Sequence, residues 1–179
     1  MFHFFKKNGI NSVHWRTKDD RQQNIVAKAL HNKENNKKFF NGLDYVFYSD
    51  MIYIDREKVI YFYERFEEIY QDYPDSKFIF NIRNEEDWIK SQKSHSTLGL
   101  GKIFDRLQEI LDCDEEEATK FLRNHYKEHT EKVKDFFKDK LDQLLIFKLG
   151  ENTGEDIANF ITEYNFQDKE FPHVNKTNN

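Results

Sequence analysis

A chain of 179 residues, 37% hydrophobic and 34% charged, is long enough for one core and too short for two comfortable domains, so residues 1–179 are expected to form a single domain. Its net charge of −5 gives no general attraction to nucleic acid or an anionic membrane, and any anion site must be local. Eighteen Phe, nine Tyr and two Trp supply the core volume that the aliphatic residues lack, which argues against a disordered chain.

Cys113 is the only cysteine, which excludes an internal disulfide, makes a cysteine-based zinc site implausible and fits a reducing compartment, with cytoplasm as the default. No apolar run approaches the roughly 20 residues that span a bilayer, and the opening residues lack the layout of a signal peptide.

In chain order, Phe2 to Lys7 reads as the tail of an amphipathic helix, closed by Asn8-Gly9. Asn11 to Trp15 reads as a short strand, and Asp19 or Asp20 is placed to cap a helix carrying Ile25, Val26, Ala29 and Leu30. Tyr45 to Ser49 is a second strand, ending at Asp50. Asp55 then reads as the cap of a long helix whose apolar side runs through Val59, Phe62, Tyr63, Phe66, Ile69, Tyr70 and Tyr73, until Pro74 stops it. Phe78-Ile79-Phe80 is the clearest strand, an unbroken apolar run as burial on both faces requires, and it leads through Asn81-Ile82-Arg83 to a helix capped by Asn84.

Helices are predicted over Lys102 to Leu111 and from Asp114 to about Lys140, the second opened by the capping box of Asp114 and Glu117. Leu144 to Leu149 is the last strand. Thr153 and Asp156 open the last helix, and residues 166–179 form an extended tail. This alternation of strands and helices predicts an α/β fold, a mainly parallel sheet flanked by helices in three layers, with ligands bound at the carboxyl ends of the strands.

Arg83 therefore stands at a strand end, beside a helix start that favours an anion, with a guanidinium able to grip phosphate oxygens through paired hydrogen bonds. Ser91 lies two turns along the same helix. The alternatives are an arginine paired with a surface carboxylate and a serine facing water. His125 and His129 have the i, i+4 spacing of a chelating pair, yet they continue the apolar stripe of Phe121, Leu122, Val133 and Phe136, and no metal is assigned to them. The acidic run Asp112 to Glu117 reads as a helix start, since it lacks the alternating ligands and central glycine of a calcium loop.

The spacing of Arg83 and Ser91 within RNEEDWIKS resembles that of sulfotransferases dependent on 3′-phosphoadenosine-5′-phosphosulfate. The blocks GINSVHW, LDYVFYSDM, YPDSKFIFNIR, LLIFKLGENTG and FPHVNKT resemble consecutive blocks of bacterial-type members of that family, in order and over nearly the whole chain. The resemblance implies a P-loop-like fold in which Arg83 and Ser91 bind the nucleotide's 3′-phosphate and Lys176 approaches it. It also implies an acceptor base at Asp50, where relatives often carry histidine or glutamate, with His14 as the rival candidate, and residues 92–101 bordering the acceptor site. The dull alternatives are that Asp50 caps a turn, His14 packs beside Trp15 and Lys176 rides in a tail.

The family grips the 5′-phosphosulfate with a glycine-rich loop after its first strand, and this sequence holds neither. The opening residues resemble the second half of the helix that follows, so the strand and loop are expected before Met1, or on another chain, or lost in a rearranged descendant. The expected activity is sulfuryl transfer to a small-molecule or glycan hydroxyl or amine, without a metal. The alternative is a catalytically silent nucleotide-binding or interaction domain. A sheet edge left unpaired would favour association, including with a second copy.

Overall fold

The computed structural model describes residues 1–17, 23–55, 57–97 and 101–171. Helix α1 (Phe2–Lys7) buries Phe4 and Phe5 and ends at Asn8, followed by Gly9 in the left-handed region at φ 75°. Strand β1 (Ser12–His14) leads through α2 (Ile25–Glu34) to β2 (Phe47–Ser49), which lies parallel to β1 with His14 opposite Ser49. Asn24 caps α2, its side chain accepting the amides of Val26 and Ala27. The cap expected at Asp19 or Asp20, outside the described residues, therefore falls instead on the polar residue directly before the buried pair Ile25-Val26.

The long helix expected from Asp55 to Tyr73 is not formed. β3 (Ile52–Ile54) and β4 (Val59–Tyr61) pair antiparallel, Ile52 opposite Tyr61, and Asp55 accepts the amides of Glu57 and Lys58 in the turn between them. β-Branched and aromatic residues at 52–54 and 59–61 suit a pleated surface better than a helix, and this preference overrides the three-and-four spacing. A 3₁₀ turn over Phe62–Arg65 follows, and only then α3 (Phe66–Asp72).

Strand β5 (Phe78–Ile82) is followed by α4 (Glu85–Ser94), the short pair β6 (Ser96–Thr97) and β7 (Gly101–Lys102), then α5 (Ile103–Leu111) and α6 (Glu115–Phe136). The chain returns in β8 (Leu144–Lys148), parallel to β5 over all five residues, and closes with α7 (Gly154–Phe160). Both capping boxes form, Asp114 with Glu117 and Thr153 with Asp156. Parallel neighbours need a crossover. Helices supply it for both pairs, so the fold is α/β.

Among the described residues the parallel strands form two pairs, β1–β2 and β5–β8, with no ladder between β2 and β5. Alternate side chains on these strands serve different clusters, as the two-residue period of a strand dictates. Val13, Tyr48 and Phe78 pack with Ile25, Phe39 and Phe62, whereas Phe47, Ile79, Leu145 and Phe147 pack with Phe4, Phe5, Ile157 and Phe166. Residues up to Phe171 thus belong to the packed body, for Phe166 is buried and Phe171 lies 5.3 Å, ring to ring, from Phe147. Further clusters join α5 to α6 through Phe104, Leu107 and Leu122, and α3 to α6 through Phe66, Val133 and Phe137. Among the described residues no helix is long and apolar enough to cross a membrane.

Candidate functional site

Arg83 follows directly on β5, and Asn84 caps α4 by accepting the amides of Glu86 and Asp87. Its backbone carbonyl is held by the Tyr126 hydroxyl at 2.6 Å, which ties the strand end to α6. Among the described residues the guanidinium of Arg83 makes no hydrogen bond and no ion pair. Partial burial pulls its pKa down from the usual arginine value, opposed by the nearby Asp87 and Tyr126. Ser91 stands seven residues beyond Asn84 and four beyond Asp87, so the three share one helix face. Its hydroxyl also makes no hydrogen bond among the described residues. The first turn of α4 carries Glu85, Glu86 and Asp87, a negative load that opposes a bound anion. Arg123 ion-pairs with Glu85 and Glu86, whereas Asp87 lies near Arg83.

The parallel register of β1 and β2 brings together the two side chains that the sequence presented as rivals. His14 Nε2 lies 3.5 Å from Asp50 Oδ2, and its Nδ1 lies 3.2 Å from Ser49 Oγ. Asp50 takes a left-handed conformation at φ 55°, uncommon for a residue with a side chain and tolerated best by Asp and Asn. Burial pushes the imidazole pKa of His14 down, by more than Asp50 raises it, and His3 and the N-terminal amine add to the lowering. The ring, stacked on Phe2 at 5.3 Å, is therefore neutral at pH 7.

A cavity of about 840 Å³ runs between the two strand pairs, and Asp50, Trp88, Gln92, His125 and Tyr126 line it. Arg83, Ser91 and His14 do not. Beside it stands a cluster that no local sequence pattern announced. The Tyr63 hydroxyl meets Nε2 of His125 at 3.0 Å, and Nδ1 of that ring faces Glu64 at 3.4 Å. Burial raises Tyr63 well above the usual tyrosine pKa and Tyr61 to about 12; the Tyr61 hydroxyl is buried without a hydrogen-bond partner among the described residues. His125 and His129 stack 6.3 Å apart among Tyr63, Phe66 and Phe80. This aromatic setting comes from the 3₁₀ turn and β5 meeting α6, a tertiary event invisible in spacing along one helix. Among the described residues no group of three His, Cys, Asp or Glu is gathered to hold a metal.

Burial pushes the His129 pKa down to about 4, with His125 and Lys132 adding to the shift. Between that value and the free-histidine pKa of about 6.5 the unfolded chain binds the extra proton, so this contribution is complete above about 6.5 and is lost as pH falls through about 4. Discounted for partial exposure, it amounts to about 1–2 kcal/mol. Denaturant melts at pH 7 and pH 4.5 should show His129→Phe losing less stability on acidification than the parent chain, by about that amount. Equal losses in the two proteins would show that His129 is not held neutral.

Comparison with known proteins bears on the segment that carries most of these features. No curated protein matches the chain. Residues 9–113, more than half of its length, match the Sulfotransferase domain family, and the match includes His14, Asp50, Arg83 and Ser91. The chain belongs to the sulfotransferase domain family.

Proposed function

We propose that this protein binds 3′-phosphoadenosine-5′-phosphosulfate and transfers its sulfuryl group to a hydroxyl or amine acceptor. The observation that carries the reading is the Arg83 guanidinium at the carboxyl end of β5, eight positions before the Ser91 hydroxyl on α4, both without a hydrogen bond among the described residues. A phosphate offers such a guanidinium paired, charge-assisted hydrogen bonds, and the hydroxyl adds a neutral donor. In this reading the strand pairs and the helices about them make up a three-layer, P-loop-like domain, working in the cytoplasm and open to association with a second copy. Lys176, outside the described residues, is assigned to the same 3′-phosphate by resemblance to the family.

Of the two acid–base candidates, Asp50 is the one that lines the cavity. Both ring nitrogens of His14 are engaged, by Asp50 and Ser49, so His14 is the residue that positions the carboxylate. During transfer the acceptor oxygen or nitrogen attacks sulfur in line and its proton passes to Asp50. The bond between sulfur and the 5′-phosphate oxygen breaks, releasing 3′-phosphoadenosine-5′-phosphate. Arg83 and Ser91 hold the 3′-phosphate still and take no part in bond making.

Calorimetry with 3′-phosphoadenosine-5′-phosphate tests the nucleotide site. Arg83→Ala should weaken binding by about tenfold or more, the loss of one charge-assisted contact, and Ser91→Ala by less. An Arg83→Ala protein that binds as tightly as its parent would remove the assignment. A second reading is a silent nucleotide-binding domain, in which Arg83 and Ser91 hold the nucleotide and no transfer occurs. Incubation with labelled donor and a panel of acceptors separates the two: binding without turnover selects the silent domain.

A further inference from the structure

The cavity between β2 and β5 is bounded by backbone as well as by side chains. In the β1–β2 pair the Phe47 amide donates to Asn11 and the Trp15 amide donates to the Ser49 carbonyl. Phe47 and Ser49 therefore turn their peptide groups toward β1, and by the alternation of a strand Tyr48 turns its N–H and C=O the other way. On β5 the Phe78 amide donates to Gln143, and the Ile82 carbonyl accepts from Leu149. The residues between them, Ile79 and Asn81, thus point their peptide groups away from β8. None of these three residues makes a backbone hydrogen bond through that edge among the described residues. All three line the same cavity.

A free edge on one strand is ordinary. Two free edges facing a shared apolar space are not: Tyr48 and Ile79 are half-buried and Asn81 is exposed, so both edges stand open to a partner strand. Side chains wall the space on both sides, with Phe5 and Ile10 from the α1 face and Ile69 and Val133 from the face of α3 and α6. The charged lining residues are Asp50, which follows β2, and Asp75 and Lys77, which precede β5, with Glu163 paired to Lys77 at 2.9 Å. The imidazoles of His125 and His129 on the α6 side have depressed pKa values and are neutral at pH 7.

We infer that this cavity is the seat of an inserted β-strand, a peptide of about five uncharged apolar residues that hydrogen-bonds to Tyr48 on one side and to Ile79 and Asn81 on the other. Only a peptide backbone presents donors and acceptors along both edges at strand spacing. A lipid tail or a compact apolar ligand would leave those groups unmatched. Burial on both faces calls for a continuous apolar run rather than an alternating one, and β5, at five residues, sets a length of about 17 Å. The inference stands apart from the nucleotide reading, since neither Arg83 nor Ser91 lines the cavity.

The test uses the full chain and an acetylated, amidated peptide Lys-Lys-Ile-Val-Phe-Val-Ile-Lys-Lys, read by amide hydrogen exchange. Saturating peptide should slow exchange at Tyr48, Ile79 and Asn81 by about tenfold or more, while amides inside the β5–β8 ladder change little. The same peptide with proline at its central position lacks a strand donor and should give no such protection. Protection by the proline peptide equal to that by the parent peptide would overturn the inference, and so would binding that leaves these three amides exchanging as before. Nucleotide binding measured on the same sample reports separately on Arg83.

Discussion

Replacing Gly154 by alanine is expected to lower the free energy of unfolding by about 3 kcal/mol or more. Gly154 is the first residue of α7, buried under the returning chain. A Cβ there would lie 2.2 Å from the carbonyl oxygen of Lys169 and 2.4 Å from Cε2 of Phe4. The first obstacle is backbone and cannot rotate aside. The second is a fully buried ring, 5.3 Å from Phe166 and 5.8 Å from Phe171 in stacked arrangements. Relief therefore means lifting residues 166–171 off α7 and uncovering the cluster of Phe4, Phe147 and Ile157. Urea melts should show the midpoint falling with little change in slope. A Gly154→Ala protein within about 0.5 kcal/mol of the parent would show that the Lys169 segment does not rest on α7.

Phe62→Ala should cost about 3–5 kcal/mol, the range for truncating a fully enclosed aromatic ring. Phe62 is 0% exposed and meets Phe39 edge-to-face with ring centres 5.0 Å apart. It sits where the β3–β4 hairpin turns into the 3₁₀ segment, and its amide donates to the Met51 carbonyl, so the backbone has little freedom to collapse into the space left behind. For a domain with a total stability of about 5–15 kcal/mol, such a loss is a large fraction. Leu141, 75% exposed, is the control: Leu141→Ala should stay within about 0.5 kcal/mol of the parent. Should the two substitutions cost the same, the cluster around Phe39 and Phe62 would not be a main source of stability.

The elements most legible in the sequence were those whose signals are local. Phe78 to Ile82 reads as a strand because it is continuously apolar, and Asn84, Asp114 and Thr153 announce helix starts because an oxygen-bearing side chain must meet free amides within three residues. The stretch from Ile52 to Tyr73 misled because two signals overlap in it. Val59, Phe62, Tyr63 and Phe66 keep helical spacing, while Ile52-Tyr53-Ile54 and Val59-Ile60-Tyr61 are good strand sequences joined by the Asp55 turn. Pairing between the two runs is a contact across the turn, which a one-dimensional period does not register.

The candidate site divides in the same way. The spacing of Arg83 and Ser91 was readable because a strand end and the helix that follows it are local features. That His14 and Asp50 are neighbours rather than competitors was not, because 35 residues separate His14 from Ser49 and only the β1–β2 register places them side by side. The cluster of Tyr63, Glu64 and His125 was hidden for the same reason. Each of its members looks like an ordinary core or surface residue until α6 lies against the hairpin.

The unbonded junction between β2 and β5 also has a thermal consequence. Each strand pair is stitched internally by peptide hydrogen bonds, but the pairs adhere to one another through rings and aliphatic side chains such as Phe5, Phe47 and Ile79. Apolar adhesion weakens on cooling. Cooling should therefore weaken the contact between the two strand pairs more than the hydrogen-bonded ladders within them.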